Sequence, residues 1–223
     1  MTTPAPLHKI TAAVAFDDNL ETIVNTATRL AQMCQAKLRL LHICDPWSQS
    51  VFASRLGGNT GELLEAIRSD NERAAKERLE LLLSSLPDNV EAELAINHDE
   101  TIAGILADTK NNPTGLLVVG AHHQLSHSPA GFSDAINVVI DSDTPTLIVH
   151  EDTHPQFLQE RLRVGIADDF SAGGDSALQF ASSLAASGAH CDFVQIHVQD
   201  GGELRTAMKE KPYGKEHDAA VFS

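Results

Sequence analysis

At 223 residues the chain exceeds the usual length of one domain but falls short of two large ones, which permits one domain with an appendage or two small domains. Hydrophobic residues make up 42% and aromatics only 4%, a composition suited to an Ala/Val/Leu/Ile core between helices and a sheet. Sixteen Lys and Arg against thirty-one Asp and Glu give a net charge of −15, a field that repels phosphate backbones and anionic lipid and so argues against nucleic-acid and membrane-surface partners. No apolar run reaches spanning length, and MTTPAPLHK lacks the basic-then-apolar layout of a signal peptide, so the expected compartment is the cytoplasm. Cys34, Cys44 and Cys191 form no CxxC pair and read as reduced thiols.

The first apolar run, Ile10 to Phe16, has the length and β-branched content of a buried strand. Asp17, Asp18 and Asn19 stop it, and Asp18 with Glu21 reads as a capping box for a helix carrying Ile23, Val24, Ala27, Leu30 and Cys34 at helical spacing. Leu38 to Cys44 is a second strand, completing a right-handed parallel βαβ unit. After a loop with Pro46, Gly57 and Gly58 comes a long charged helix ended by Pro87; Val90 to Ile96 then alternates as a strand with one wetter face, towards a sheet edge. Asp99 is placed to cap a short helix bearing Ile102 and Ile105, Gly115 to Gly120 is a buried strand, Ser133 is placed to cap a helix with Ile136, Val139 and Ile140, and Thr146 to Val149 is a fifth strand. Five strands alternating with four helices predict an α/β fold with an open, doubly wound parallel sheet over residues 1–151.

Residues 152–161 are polar and contain a proline, which marks a linker, and residues 162–223 repeat the opening of the chain. Leu162 to Ala167 ends in Asp168-Asp169 as the first strand ends in Asp17-Asp18; a helix follows, then a strand from Phe193 to Val198 whose His197-Val198 matches His42-Ile43. The tail from Gly201 is polar and supplies none of the remaining three strands, so the second copy is incomplete.

VAFDD at 14–18, LLHICDP at 40–46, LLVVGAHH at 116–123 and TPTLIVHE at 144–151 together resemble, in order and spacing, the segments of universal stress proteins, and the second copy resembles the tandem members of that family. The resemblance implies a Rossmann-like sheet, a homodimer with the fifth strand, Thr146 to His150, in its contact, and ATP or AMP as the ligand of those members that bind one. It also implies that Asp17 and Ile43 face the adenosine part of a nucleotide and that the loop after Gly120 faces its phosphates. Nucleotide-binding members carry G-x2-G-x9-G-[S/T] there, because glycines let backbone N–H groups close around phosphate. This chain keeps Gly120, has His123 at the second glycine, and has Ser133-Asp134 at the final pair, or Phe132-Ser133 if the loop is one residue shorter. Side chains obstruct the backbone approach and Asp134 repels phosphate, so the loop resembles members that do not bind ATP. Asp17 has a second reading, as the terminator of its strand or a helix cap.

Other residues carry rival readings. His122, His123 and His127, with His150 and His154, invite a metal, but Pro129 and Gly131 indicate a loop and no carboxylate or Cys is fixed by spacing, so no metal is expected. His42 reads as a structural hydrogen bonder. Ser171 to Ser176 (SAGGDS) is similar to the SGGxDS phosphate loop of PP-loop ATP pyrophosphatases, which would give Ser171, Gly173, Gly174 and Ser176 phosphate-binding roles; the other reading is a turn with Asp175 or a serine as helix cap. No nucleophile, base or acid pair predicts a reaction. A stress-response regulatory or interaction module, a nucleotide sensor and an adenylating enzyme are therefore three separate expectations, the first preferred.

Overall fold

The computed structural model describes residues 5–45, 61–121, 134–150, 153, 162–168 and 171–197. Among them five strands, β1 (Lys9–Ala13), β2 (Lys37–Ile43), β3 (Ala92–Asn97), β4 (Leu116–Gly120) and β5 (Thr146–Val149), form one parallel sheet in the order β3-β2-β1-β4-β5. The helices between them are α1 (Leu20–Cys34), α2 (Gly61–Ser85), α3 (Thr101–Asn111) and α4 (Asp134–Asp141). The sheet is thus the α/β, Rossmann-like arrangement the alternation predicts, with β3 at one edge and β5 at the other.

Burial on both faces explains why β4 reads as a continuous apolar run, while β2 keeps its leucines buried and is interrupted by Arg39 and His42. Side chains alternate across a strand, so Leu38, Leu40, Leu116 and Val118 join one core with Ile23, Ala27 and Leu79, while Leu41, Leu117 and Val119 join another with Ile105 and Val138. The edge strand β3 is only half-buried along its length, the wetter strand its Glu residues indicate. Arg39 on β2 holds α3 to the sheet through a two-pronged pair with Asp108, Nε to Oδ2 at 3.2 Å and Nη2 to Oδ1 at 2.9 Å, and the amides of Asn97 and Asn112 each donate to the same Oδ1 at 3.1 Å.

Two helix starts differ from the sequence reading by one residue. Asn19, not Asp18, is the N-cap of α1 and makes no side-chain cap bond; its amide turns inward, and Nδ2 donates to the Val149 carbonyl at 3.3 Å. Glu100, not Asp99, precedes α3, while Asp99 Oδ1 accepts the Glu100 N–H at 2.8 Å. The proposed cap of α4, Ser133, lies outside the described residues.

A second unit follows: β6 (Leu162–Asp168), α5 (Ala172–Ala186) and β7 (Cys191–His197), with β6 and β7 paired in parallel from Leu162–Cys191 to Asp168–His197. It packs on the first domain. Leu162, Leu184 and Ala189 belong to the same buried cluster as Leu7, Leu30 and Cys34, and the Leu7 N–H donates to Ser187 Oγ at 2.6 Å. All three cysteines are free thiols, and burial, with Cys191 nearby, pushes the Cys34 thiol up to about 11.

Candidate functional site

The chain leaves β1 for β2 and reaches β1's other neighbour, β4, only after β3, so connections diverge between β1 and β4 and leave a crevice at the strands' carboxyl ends. It measures about 250 Å³. Val14 and Ala15 after β1, Ile43 at the end of β2, Gly120 at the end of β4, Ile102 in the first turn of α3 and Val138 on α4 line it. These walls are apolar and suit a flat ring, but the volume lies below the ~300–1,000 Å³ of most ligand pockets, enough for a base rather than a whole nucleotide.

Ile43 and Gly120, expected near a nucleotide, thus come together at the crevice. Gly120 has a packing reason of its own: a Cβ there would stand 2.6 Å from Ile23 Cδ1 and 3.0 Å from Asn19 Nδ2, so those two side-chain ends would have to shift to admit a side chain. Asp17 is half-buried in the turn after β1, where Oδ1 accepts the Asn19 N–H at 2.9 Å. This is the turn-terminating geometry of its second reading, and Asp17 is not among the residues lining the crevice. His123 and Ser133 lie outside the described residues.

His42 lines the crevice with its ring set between strands. Nδ1 lies 2.9 Å from the Val14 carbonyl oxygen, and the ring packs tilted at 43° against Phe16 with centroids 4.5 Å apart, the Arg78 guanidinium lying 5.0 Å from the Phe16 ring centre. Burial, with His98 adding to it, holds the imidazole below its usual value, so the neutral ring donates Nδ1–H to Val14. That is a structural bond joining the ends of β1 and β2.

Sequence reasoning missed Asn19, which read as a stop residue. It is 4% exposed, bridges α1 to β5 through Val149, and its Oδ1 has no partner among the described residues. A lone Asn in a polar stretch carries no signal of this; only the sheet order brings residues 19, 120 and 149 together.

The SAGGDS segment takes the geometry of a helix cap. Ser171 precedes α5 in extended backbone, and its Oγ accepts the N–H groups of Gly173 and Gly174 at 3.2 and 3.4 Å. The buried Asp168 carboxylate packs against Gly174, where a Cβ would collide with Oδ1, and its Oδ2 accepts Gln195 Nε2–H at 2.7 Å. Ser176 Oγ donates to the Ala172 carbonyl at 2.9 Å. The amides that would meet a phosphate are engaged, and a carboxylate already stands beside them. Of the histidines considered for metal, 122, 123, 127 and 154 lie outside the described residues; among the described residues no three His, Cys, Asp or Glu side chains gather into a metal-holding group.

Comparison with known proteins bears on this fold and crevice. The model of the universal stress protein family matches residues 6–150, well over half of the chain. The chain belongs to the universal stress protein family. No curated protein sequence matches it significantly. Among solved structures it is similar to a universal stress protein from Archaeoglobus fulgidus DSM 4304, at 16% identity and a TM-score of 0.61, covering 91% of this chain and 71% of that one. It is also similar to the hypothetical protein MJ0577, at 16% identity and a TM-score of 0.50, covering 66% and 99% of the two chains. UspA from Lactobacillus plantarum aligns at 21% identity and a TM-score of 0.48, covering 65% and 99%. The first likeness covers more of this chain than residues 6–150. Among the described residues no helix is long and apolar enough to cross a membrane.

Proposed function

We propose that this universal stress protein is a stress-response regulatory or interaction module, acting in the cytoplasm as a homodimer, with a crevice that accepts an adenosine-like ring but a phosphate loop too altered to hold ATP tightly. The observation that carries the reading is the contrast between the two halves of the site. The ring half is a lined, apolar crevice of about 250 Å³. The phosphate half retains Gly120, itself explained by packing on Ile23, while His123 and Ser133-Asp134 replace the glycines and hydroxyl that cradle phosphate in nucleotide-binding members. An acidic chain of net charge −15 adds an unfavourable field for a polyphosphate.

Two lost charge-assisted hydrogen bonds at ~1.5–3 kcal/mol each lower affinity by roughly two to four decades, which empties a micromolar site. Calorimetry on the purified protein tests this. Wild-type protein is expected to release little heat with ATP, and the triple variant His123→Gly, Ser133→Gly, Asp134→Ser to regain measurable binding. A low-micromolar dissociation constant for the wild type would overturn the reading and favour the nucleotide sensor instead.

A further inference from the structure

The second unit meets the first domain at the amino ends of β4 and β5, the opposite end of the sheet from the crevice, and the two do not close completely on each other. Between them lies a cavity of about 860 Å³. Leu30 of α1, Leu116 of β4 and Leu147 of β5 form one wall, and Phe180 and Leu184 of α5 form the other. Unlike the crevice, this space falls inside the ~300–1,000 Å³ range of sites that enclose a small organic ligand.

The polar groups along the cavity define the head such a ligand would carry. Ser142 Oγ donates to the Thr144 carbonyl at 3.3 Å and accepts the Thr144 N–H at 3.0 Å; Thr146 Oγ1 donates to the same carbonyl at 2.9 Å, and Ser176 Oγ to that of Ala172 at 2.9 Å. A hydroxyl has one proton, and these three are committed to the main chain, so towards a ligand they offer lone pairs only. Asp143, on the same wall, is also an acceptor when ionised. Among the described residues Arg163 is the one cationic side chain lining the space, and an anion drawn to it would face Asp143 and the net charge of −15. A neutral head that donates a hydrogen bond meets acceptors instead.

We propose that the cavity between the first domain and the second unit is a binding site for an apolar aromatic molecule with a hydrogen-bond-donating head, of the phenol class. The ligand buries its ring among leucines and Phe180 and gives its proton to the Ser142–Asp143–Thr144 turn or to Ser176. Because both walls belong to different units, occupancy holds the second unit on the first domain. Ligand at a hundred times its dissociation constant shifts the folded-to-unfolded ratio by about a hundredfold.

The test uses the full chain and 1-naphthol as probe, followed by its fluorescence and by thermal unfolding. Saturable binding at one site and a raised melting temperature are expected. Naphthalene-1-sulfonate, with the same rings and an anionic head, is expected to bind roughly tenfold or more weakly. Ala177 lines the cavity from α5 at a half-buried position, so Ala177→Phe places a ring in the space and should abolish naphthol binding while the unliganded protein stays folded. Should that variant not fold, Ser176→Phe, from an exposed neighbouring position, makes the same block. Absence of saturable binding to the wild type, undiminished binding in a folded blocked variant, or sulfonate binding as tight as naphthol would each overturn the proposal.

Discussion

Gly120 shows how one residue serves two arguments that only the folded chain separates. In the sequence it is the surviving glycine of a phosphate loop; in the structure its missing Cβ is the space occupied by Ile23 Cδ1. The packing role predicts that Gly120→Ala destabilises the protein whether or not nucleotide is present, by about 1–3 kcal/mol for an overpacked core. Ile23→Val removes the atom in the way, so the double variant should recover part of that loss, a coupling measurable by a urea-denaturation cycle. Additive losses would mean that Ile23 is not what Gly120 accommodates. Asn19 is the opposite case, a buried bridge whose role had no local pattern to announce it.

At the scale of elements, strands were legible because burial in the sheet demands short segments rich in apolar residues, and Thr146–Val149 emerges with the bounds its composition indicates. Helix starts were less so, since the sequence offered Asp17 or Asp18 as a cap, whereas the helix starts after Asn19, whose amide packs inward on Val149 instead of capping. The position of β5 at the sheet edge carries the proposed dimer. Its inward groups are identifiable: Leu117 N–H donates to the Pro145 carbonyl and Ala121 N–H to that of Val149, so the odd-numbered residues face β4 and Ile148 turns its N–H and C=O to the open edge. Ile148→Pro therefore removes an outward donor while leaving the β4 ladder intact, a placement that edge strands tolerate. Sedimentation velocity should show the variant dissociating at concentrations where the wild type is dimeric, with unchanged circular dichroism. An unaltered dimer, or a wild type that is monomeric throughout, would remove β5 from the contact.

For the whole molecule, the repeat of a strand ending in Asp-Asp, a helix and a second strand was visible along the chain, and β6, α5 and β7 follow it in the same parallel order. Where the unit sits was not visible, because the contacts that place it join residues as far apart as Leu7 and Ser187 and follow no periodicity. Two strands and a helix cannot enclose a core of their own: Leu162, Leu184 and Ala189 are buried in a cluster shared with the first domain, while Val194 and Ile196 on β7 remain exposed. The second unit thus borrows its core, and two results follow. Residues 162–223 alone should show no cooperative thermal transition, since their buried leucines would face water. In the full chain Leu184→Ala should cost about 2–5 kcal/mol, the range for emptying a buried leucine site, and should lower the urea midpoint of the first domain's own signal as well. That second readout separates a shared core from a unit that merely rests on its neighbour: if Leu184→Ala leaves the first domain's midpoint untouched, or the isolated segment melts cooperatively, the two units are energetically independent.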